Sequence, residues 1–332
     1  MPTITNPLQG DVHVNRPFTD FSQKYMQNEA SFVATRAFPS KPVTNQSDSY
    51  YTFSRADWYR DEVTERADGA ESDGGGFSLS TDTYSAKVYA WHKDVTDRQR
   101  QNADPAINLD NSAAQYVMHK LLIGRERKFV NTFMTTSVWD TDVAGTASTP
   151  SAGSTFRFWD NASSDAVKDI RYGSEVVQGT TGFKPNKLLI GRSAYNALLD
   201  NAGVLDRING GATTGQPAQV QKMLLAQLFE LDEIFVVDAV YNSSVRGKAE
   251  STGFIAGDKA LLYYAPNSVG LETPSAATIF NWTAPYGSTA GGIRVKRFRM
   301  EANEADRIEG QMSFDHKVTG SELGYFFNNC VT

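Results

Sequence analysis

Between Ala114 and Phe133 apolar residues recur at helical spacing: Ala114, Val117, Met118, Leu121, Leu122, Phe129, Val130 and Phe133. This is the period of a helix that buries one face. The pattern predicts a long helix from Asp110, as N-cap, to Thr136, about 40 Å at 1.5 Å per residue. Gly124 in its interior marks a place for a bend. Tyr84, Ala86, Val88 and Ala90 alternate instead with a period of two, as a half-buried strand does. With the run at Tyr51 and Phe53 they predict a long hairpin over 48–93, crossing Gly74-Gly75-Gly76. Such a polar connection has no core of its own and is expected to project from the body.

Beyond 160 the pattern becomes that of a compact α/β unit. Val167, Ile170 and Val177 form one helical stripe, with Ser163 or Ser164 as its cap. Tyr195, Leu198 and Leu199 form a second, and Val220, Leu224 and Leu228 a third. Lys187–Ile190 and Ile234–Val237 are short continuous apolar runs, as strands buried on both faces are. Strand-like runs follow at Gly253–Ala256, Ala260–Tyr264, Ile293–Met300, Ile308–Lys317 and Leu323–Phe327. Residues 140–160, with Gly145, Pro150 and Gly153, read as a turn-rich crossing. Residues 1–47 hold no lasting period; Pro2, Pro7, Pro17, Pro39 and Pro42 interrupt them, and one amphipathic turn lies around Phe18, Phe21 and Tyr25. An arm of this kind buries too little apolar area to offset its ordering entropy, so neighbouring copies are expected to hold it, with an arm packed on its own subunit as the alternative. The fold class is α+β.

Composition narrows the function more than the fold. Among 332 residues, 32 Lys and Arg stand against 38 Asp and Glu, a net charge of −6, so the chain as a whole does not attract polyanions. Cys330 is the one cysteine, which excludes an internal disulfide and a cysteine-rich metal site. No secretory signal opens the chain, and no apolar run is long enough to cross a membrane.

Chemical motifs are missing where an enzyme would carry them. No phosphate-binding G-x-x-x-x-G-K-[ST] occurs, and Gly74-Gly75-Gly76 reads as a hairpin tip. The string Gly191-Arg192-Ser193-Ala194-Tyr195 lacks the last glycine of a hydrolase elbow, which leaves Ser193 as a helix cap. His13, His92, His119 and His316 lie too far apart for a paired metal motif, and Asp140 with Asp142 reads as a turn. No catalytic, metal or cofactor-binding residue is assigned, and no cofactor is expected.

The order of elements — arm, projecting hairpin, long helix, compact α/β unit, long closing strands — resembles the major capsid protein family of tailed phages, with the Hong-Kong-ninety-seven-type fold. The strings that carry the likeness are Asp110–Phe133, NKLLIGRSAYNALLDNAGVLDRI at Asn186–Ile208, and DHKVTGSELGYFF at Asp315–Phe327. The resemblance implies an N-arm (1–47), an extended E-loop (48–93), a P-domain with a spine helix (94–160), an A-domain (161–285) and C-terminal P-domain strands (286–332). It implies a structural subunit that assembles with itself into hexamers and pentamers of an icosahedral virion capsid around double-stranded DNA. Assembly would take place in the host cytoplasm, with a portal and a decoration protein as further partners. Only a short arm stands where some relatives carry a scaffolding domain, so a separate scaffolding protein is expected. No lysine lies between Ser54 and Ala86, so a shell without isopeptide links from the E-loop is expected. Competing readings are an encapsulin-like compartment of the same fold and a phage tail or adhesin subunit.

Charge suggests how copies meet. From Arg55 to Asp73, Asp57, Asp61, Glu62, Glu65, Asp68, Glu71 and Asp73 outnumber Arg55, Arg60 and Arg66. Arg294, Lys296, Arg297 and Arg299 form a basic run without an acid, and the long helix adds Lys120, Arg125, Arg127 and Lys128 against Glu126. The acidic hairpin of one copy is expected to lie over the basic surface of the next, where complementary charge sets register. Simple solvation of these charges, or bases that deter strand-edge pairing, stays open beside it. Reversing Arg297 and Arg299 to Glu is expected to impair assembly and leave the subunit folded.

Overall fold

The computed structural model describes residues 26–103, 108–151, 153–208, 222–268, 270, 272–284 and 293–332. From the N-terminal side come strand β1 (Ser40–Val43), then β2 (Ser47–Phe53) and β3 (Leu79–Ser85) with the one-turn helix α1 (Arg55–Trp58) between them. Strand β4 (Lys87–Thr96) runs into α2 (Asp97–Gln101), where Thr96 and Gln99 form a capping box. The long helix α3 (Leu109–Phe133) follows, then β5 (Thr141–Thr146), β6 (Thr155–Arg157) and α4 (Ala166–Thr181). Next are β7 (Lys187–Gly191), α5 (Arg192–Asp200), α6 (Ala202–Ile208), α7 (Lys222–Leu228) and β8 (Glu233–Val237). Strands β9 (Val240–Asn242), β10 (Thr252–Phe254), β11 (Ala260–Tyr263), β12 (Ala277–Trp282), β13 (Ile293–Met300), β14 (Ala305–Val318) and β15 (Gly324–Asn328) complete the chain.

Two sheets organise these elements. The first is built on β14, which pairs antiparallel with β4, β13 and β12, while β1 adds to β12 in parallel. The second runs β6-β5-β15-β11-β7-β8 and mixes parallel and antiparallel pairs. Its central strands are buried on both faces, which is why Lys187–Ile190 reads as a continuous run. Leu188, Ile190, Ala260 and Leu262 face one core with Val167, Ile170 and Leu198 of the helices. Leu189, Leu261 and Tyr263 face the other core, with Val117, Phe129 and Phe133 of α3 and with Ile279 and Phe314 of the first sheet.

Several expectations need correction. The cap of α3 is Asn108, whose side chain accepts from the Asn111 N–H at 3.0 Å; Asp110 lies in the first turn. Asp165 caps α4, because the Ser164 hydroxyl donates instead to the carbonyls of Trp159 and Asn161. Ser193 lies inside α5, behind Gly191 at the cap position, and its N–H donates to Gly257. Residues 140–160 contain β5 and β6 rather than turns alone, and these strands join the second sheet. The expected unit boundaries are crossed twice more: β12, from within 161–285, pairs in the first sheet, and the closing β15 pairs in the second. In α7 the buried positions are Leu225 and Ala226, while Leu224 is exposed. Val220, His13 and the turn at Phe18, Phe21 and Tyr25 lie outside the described residues.

Candidate assembly surface

Strand β14 decides which face of the first sheet is covered. A Cβ on Gly310 would lie 2.6 Å from Leu121 and 2.7 Å from Val117, so α3 presses directly on the backbone there. Ile308, Met312 and Phe314 share that face by strand periodicity, as do Tyr89, Trp91 and Lys93 opposite them on β4. The other face carries Arg307, Glu309 and Gln311 of β14. Beside them stand Asp94, His92 and Ala90 of β4, and Phe298, Lys296 and Arg294 of β13. On this open face Val88, Ala90, His92, Arg294 and Phe298 are exposed. The expected alternation from Tyr84 to Ala90 therefore breaks at Ala86. Tyr84 and Ala86 are buried, Val88 and Ala90 face outward, and Tyr89 packs on Phe314 at 4.8 Å.

The same alternation divides the basic run. Arg294 and Lys296 point to the open face, where Lys296 pairs with Glu309 at 3.2 Å. Arg297 and Arg299 point to the helix side. Arg297 meets Asp306 at 2.6 Å and Asp110 at 3.1 Å, and Arg299 meets Asp97 at 2.6 Å. Arg100 joins Asp306 at 2.7 Å and Asp110 at 2.8 Å. The Arg297 guanidinium holds the Asp306 carboxyl below the usual carboxylate range, and Arg299 does the same for Asp97. Arg297 and Arg299 thus tie α2, the start of α3 and the β13–β14 turn together within one subunit. Reversing them would set like charges against Asp97, Asp110 and Asp306, so that change tests the fold as well as assembly.

Arg125 is also not a surface base. It is 1% exposed, with its guanidinium 5.0 Å from the Phe314 ring centroid. Glu126 beside it is fully buried and accepts the N–H groups of Val33 at 3.1 Å and Ala34 at 2.9 Å. Burial pushes the Glu126 carboxyl up to about 7, and the Ala34 and Val33 N–H groups pull the other way. For its described part, residues 26–47, this clamp corrects the expectation that neighbouring copies hold the arm. Phe32, Val33, Ala34, Ala37 and Phe38 are buried, Phe38 packs against Phe129, Phe133 and Tyr263, and β1 pairs with β12. Lys128 is exposed, with its ammonium 4.5 Å from the Tyr89 ring centroid.

The β2–β3 hairpin leans on its own subunit at both ends. At its root Tyr84 stacks on Phe280 at 4.5 Å, Tyr50 lies beside the same ring, and Lys317 reaches Asp82 at 3.0 Å. Farther out the Tyr59 hydroxyl donates to the carbonyl of Thr181 at the end of α4. It lies against Gly182, which closes that helix at φ +72°. Asp57 accepts from both the N–H and the hydroxyl of Ser78, joining the two limbs, and Arg60 pairs with Glu62 at 3.0 Å. Asp61 accepts the Val63 N–H at 3.4 Å. Glu65 and Asp68 are exposed, and among the described residues no ion pair reaches them.

Pattern reading weighed only the acids of this loop. The structure adds an exposed aromatic cluster: Trp58 and Phe77 with ring centroids 5.5 Å apart, and Phe53 5.8 Å from Phe77. The signal available in the sequence was two large rings, Trp58 and Phe77, in a segment with no period to bury them, after Phe53 at the end of the first strand run.

Other candidate groups are enclosed. The Cys330 thiol is fully buried, and burial pushes it well above its ordinary range. His316 lies among Phe129, Phe133 and Phe314, and burial lowers it to about 3, which keeps the imidazole neutral. Among the described residues no group of three potential metal ligands occurs, and no helix is long and apolar enough to cross a membrane.

The model of the family "Phage major capsid protein E" matches residues 155–305. The major capsid protein of Burkholderia phage BcepMu is 24% identical over 229 residues, 69% of each chain. A phage-related protein from Bordetella bronchiseptica superposes with a TM-score of 0.65 at 18% identity, covering 92% of this chain and 94% of that one. The capsid of cyanophage P-SCSP1u gives 0.57 at 9% identity, covering 99% and 94%. The mature capsid of bacteriophage PhiM1 gives 0.55 at 10% identity, covering 93% and 89%.

Proposed function

We infer, from the premise that this chain is a phage major capsid protein and a structural subunit of the virion capsid, that it closes into hexamers and pentamers around double-stranded DNA. The observation that carries this reading is the exposed cluster of Phe53, Trp58 and Phe77 on an acidic hairpin, together with a sheet face left open at Val88, Ala90 and Phe298. A subunit with two cores of its own gains nothing by exposing these side chains to water, whereas a copy docked on them buries apolar area. Asp61, Glu62, Glu65 and Asp68 lie on the same hairpin loop as the aromatic cluster, and Arg294 and Lys296 stand on the open face. In this reading the hairpin of one copy lies over the open sheet face of the next, and the charges set its register. Each exposed pair contributes about 0–1 kcal/mol and weakens with salt, so the rings carry most of the association. A separate scaffolding protein, a portal and a decoration protein complete the reading, with assembly in the host cytoplasm and a shell without isopeptide links.

The test is the triple change Phe53→Ser, Trp58→Ser and Phe77→Ser. The subunit is expected to keep its thermal midpoint and to give no closed shells by negative-stain imaging. Shells of normal yield would end this reading.

A further inference from the structure

Most bases of the first sheet and its flanking turns have a carboxylate: Arg297, Arg299, Arg100, Lys296, Arg307 and Lys317 all form ion pairs within the chain. The outer side of α3 and the β4 residue next to it differ. Lys93 of β4 and Lys120, Arg127 and Lys128 of α3 are exposed, and among the described residues none forms an ion pair. They are seated on rings instead. Lys93 and Lys120 lie 5.4 and 5.6 Å from the centroid of Tyr116, Lys128 lies 4.5 Å from Tyr89, and Arg127 lies 5.2 Å from Tyr241. A ring orients a cation and leaves its outward N–H groups free to meet an anion. From Gln115 to Asn131 the one acid is Glu126, which is buried beneath the arm. A chain of net charge −6 therefore presents a helix face that is wholly cationic.

We propose that this outer face of α3, carried by Lys93, Lys120, Arg127 and Lys128, contacts the phosphate backbone of the enclosed duplex DNA. The proposal rests on the capsid reading and assigns a side to it: contents toward α3, neighbouring copies toward the open sheet face and the hairpin. Two observations favour a polyanion over a second copy of the chain. Interfaces between proteins have an apolar centre, and among the large apolar side chains of α3 only Tyr116 is markedly exposed. The bases are also spread out. Lys120 and Lys128 are separated by about 12 Å along the helix at 1.5 Å per residue. Duplex DNA offers one charge per about 1.7 Å of its axis, so each base finds a phosphate without reading a sequence.

The experiment uses full-length unassembled subunits and a labelled mixed-sequence duplex, with anisotropy read between about 50 and 200 mM salt. Four phosphate contacts predict a slope of log affinity on log salt of about −3.6. The variant Lys120→Gln, Arg127→Gln, Lys128→Gln is expected to bind at least about tenfold more weakly, with a slope shallower by about 2.7, and still to form shells. The pair Arg294→Gln, Lys296→Gln on the open face is expected to leave duplex binding unchanged. Wild-type subunits without measurable affinity, or a triple variant that binds as the wild type does, would overturn the proposal. A triple variant that stops forming shells while its duplex binding is unchanged would give this face to a second copy instead. Failure of the capsid reading shows separately, as wild-type protein that forms no shells.

Discussion

Glu126 shows how one side chain ties a segment of weak pattern to the body. Its two carboxyl oxygens accept the N–H groups of Val33 and Ala34, both buried, and no strand or helix serves those donors. Removing the acceptor leaves two donors unsatisfied at about 1–3 kcal/mol each. Glu126→Ala is therefore expected to lower the unfolding free energy by about 2–6 kcal/mol in urea denaturation. Amide exchange at residues 32–38 should quicken more than exchange in β7 or β11. Exchange that quickens equally throughout would show that the clamp has no local role. Pattern reading counted Glu126 as an acid on a basic surface, because a charge on a helix is ordinarily solvated. Only the arm lying over it makes the difference.

At the scale of elements, the junction of α2, α3 and the β13–β14 turn is held by charge. Asp306 accepts from Arg297 and Arg100, Asp110 pairs with both, and Asp97 accepts from Arg299, so the consecutive helices α2 and α3 share one network with the distant β13–β14 turn. Asp306→Asn is expected to lower the urea midpoint, with the loss smaller at about 1 M salt than at about 0.05 M, since Asp306 is buried but its partners Arg297 and Arg299 are reached by solvent. A loss independent of salt would mark a packing effect instead. The basic run at 294–299 was legible as charge, and its strand was legible from alternation. Which two of its four bases face the helix follows only from register against β14, because a shift of one residue would exchange the faces.

For the whole molecule, two sets of carboxyls act in opposite directions as pH changes. Asp94, Asp97 and Asp306 are held below their ordinary 3.8, first of all by hydrogen bonds from Arg307, Arg299 and Arg297. Their contribution is present above that value and is lost as pH falls through their lower folded pKa. Glu126, raised by burial to about 7, and Asp169, raised by burial to about 6, keep protons in the folded state that the unfolded chain has released. Their effect is a loss of stability as pH rises from about 4 to 7, with no further change above. His316, lowered by burial to about 3, acts the other way: the unfolded imidazole binds a proton below its ordinary 6.5 and the folded one does not, so stability is gained there as pH rises. The Glu126 contribution is therefore read as a difference, and Glu126→Gln is expected to raise the thermal midpoint at pH 7 relative to pH 4 compared with the wild type. A Glu126→Gln variant whose midpoint follows the same pH profile as the wild type would contradict this account.

Elements whose burial follows from their own period were determined by the sequence alone: α3, the buried runs of β7 and β8, and the closing strands. Their order carried the capsid resemblance without help from the structure, since periodicity and order are local properties. Tertiary structure decided the rest. It placed β5, β6 and β15 in one sheet and β1 and β12 in the other, buried Arg125 and Glu126, and drew Arg297 and Arg299 inward. It also left Phe53, Trp58 and Phe77 outside. Each of these depends on which distant segment lies opposite, and a residue's environment is set by that partner rather than by its neighbours in sequence.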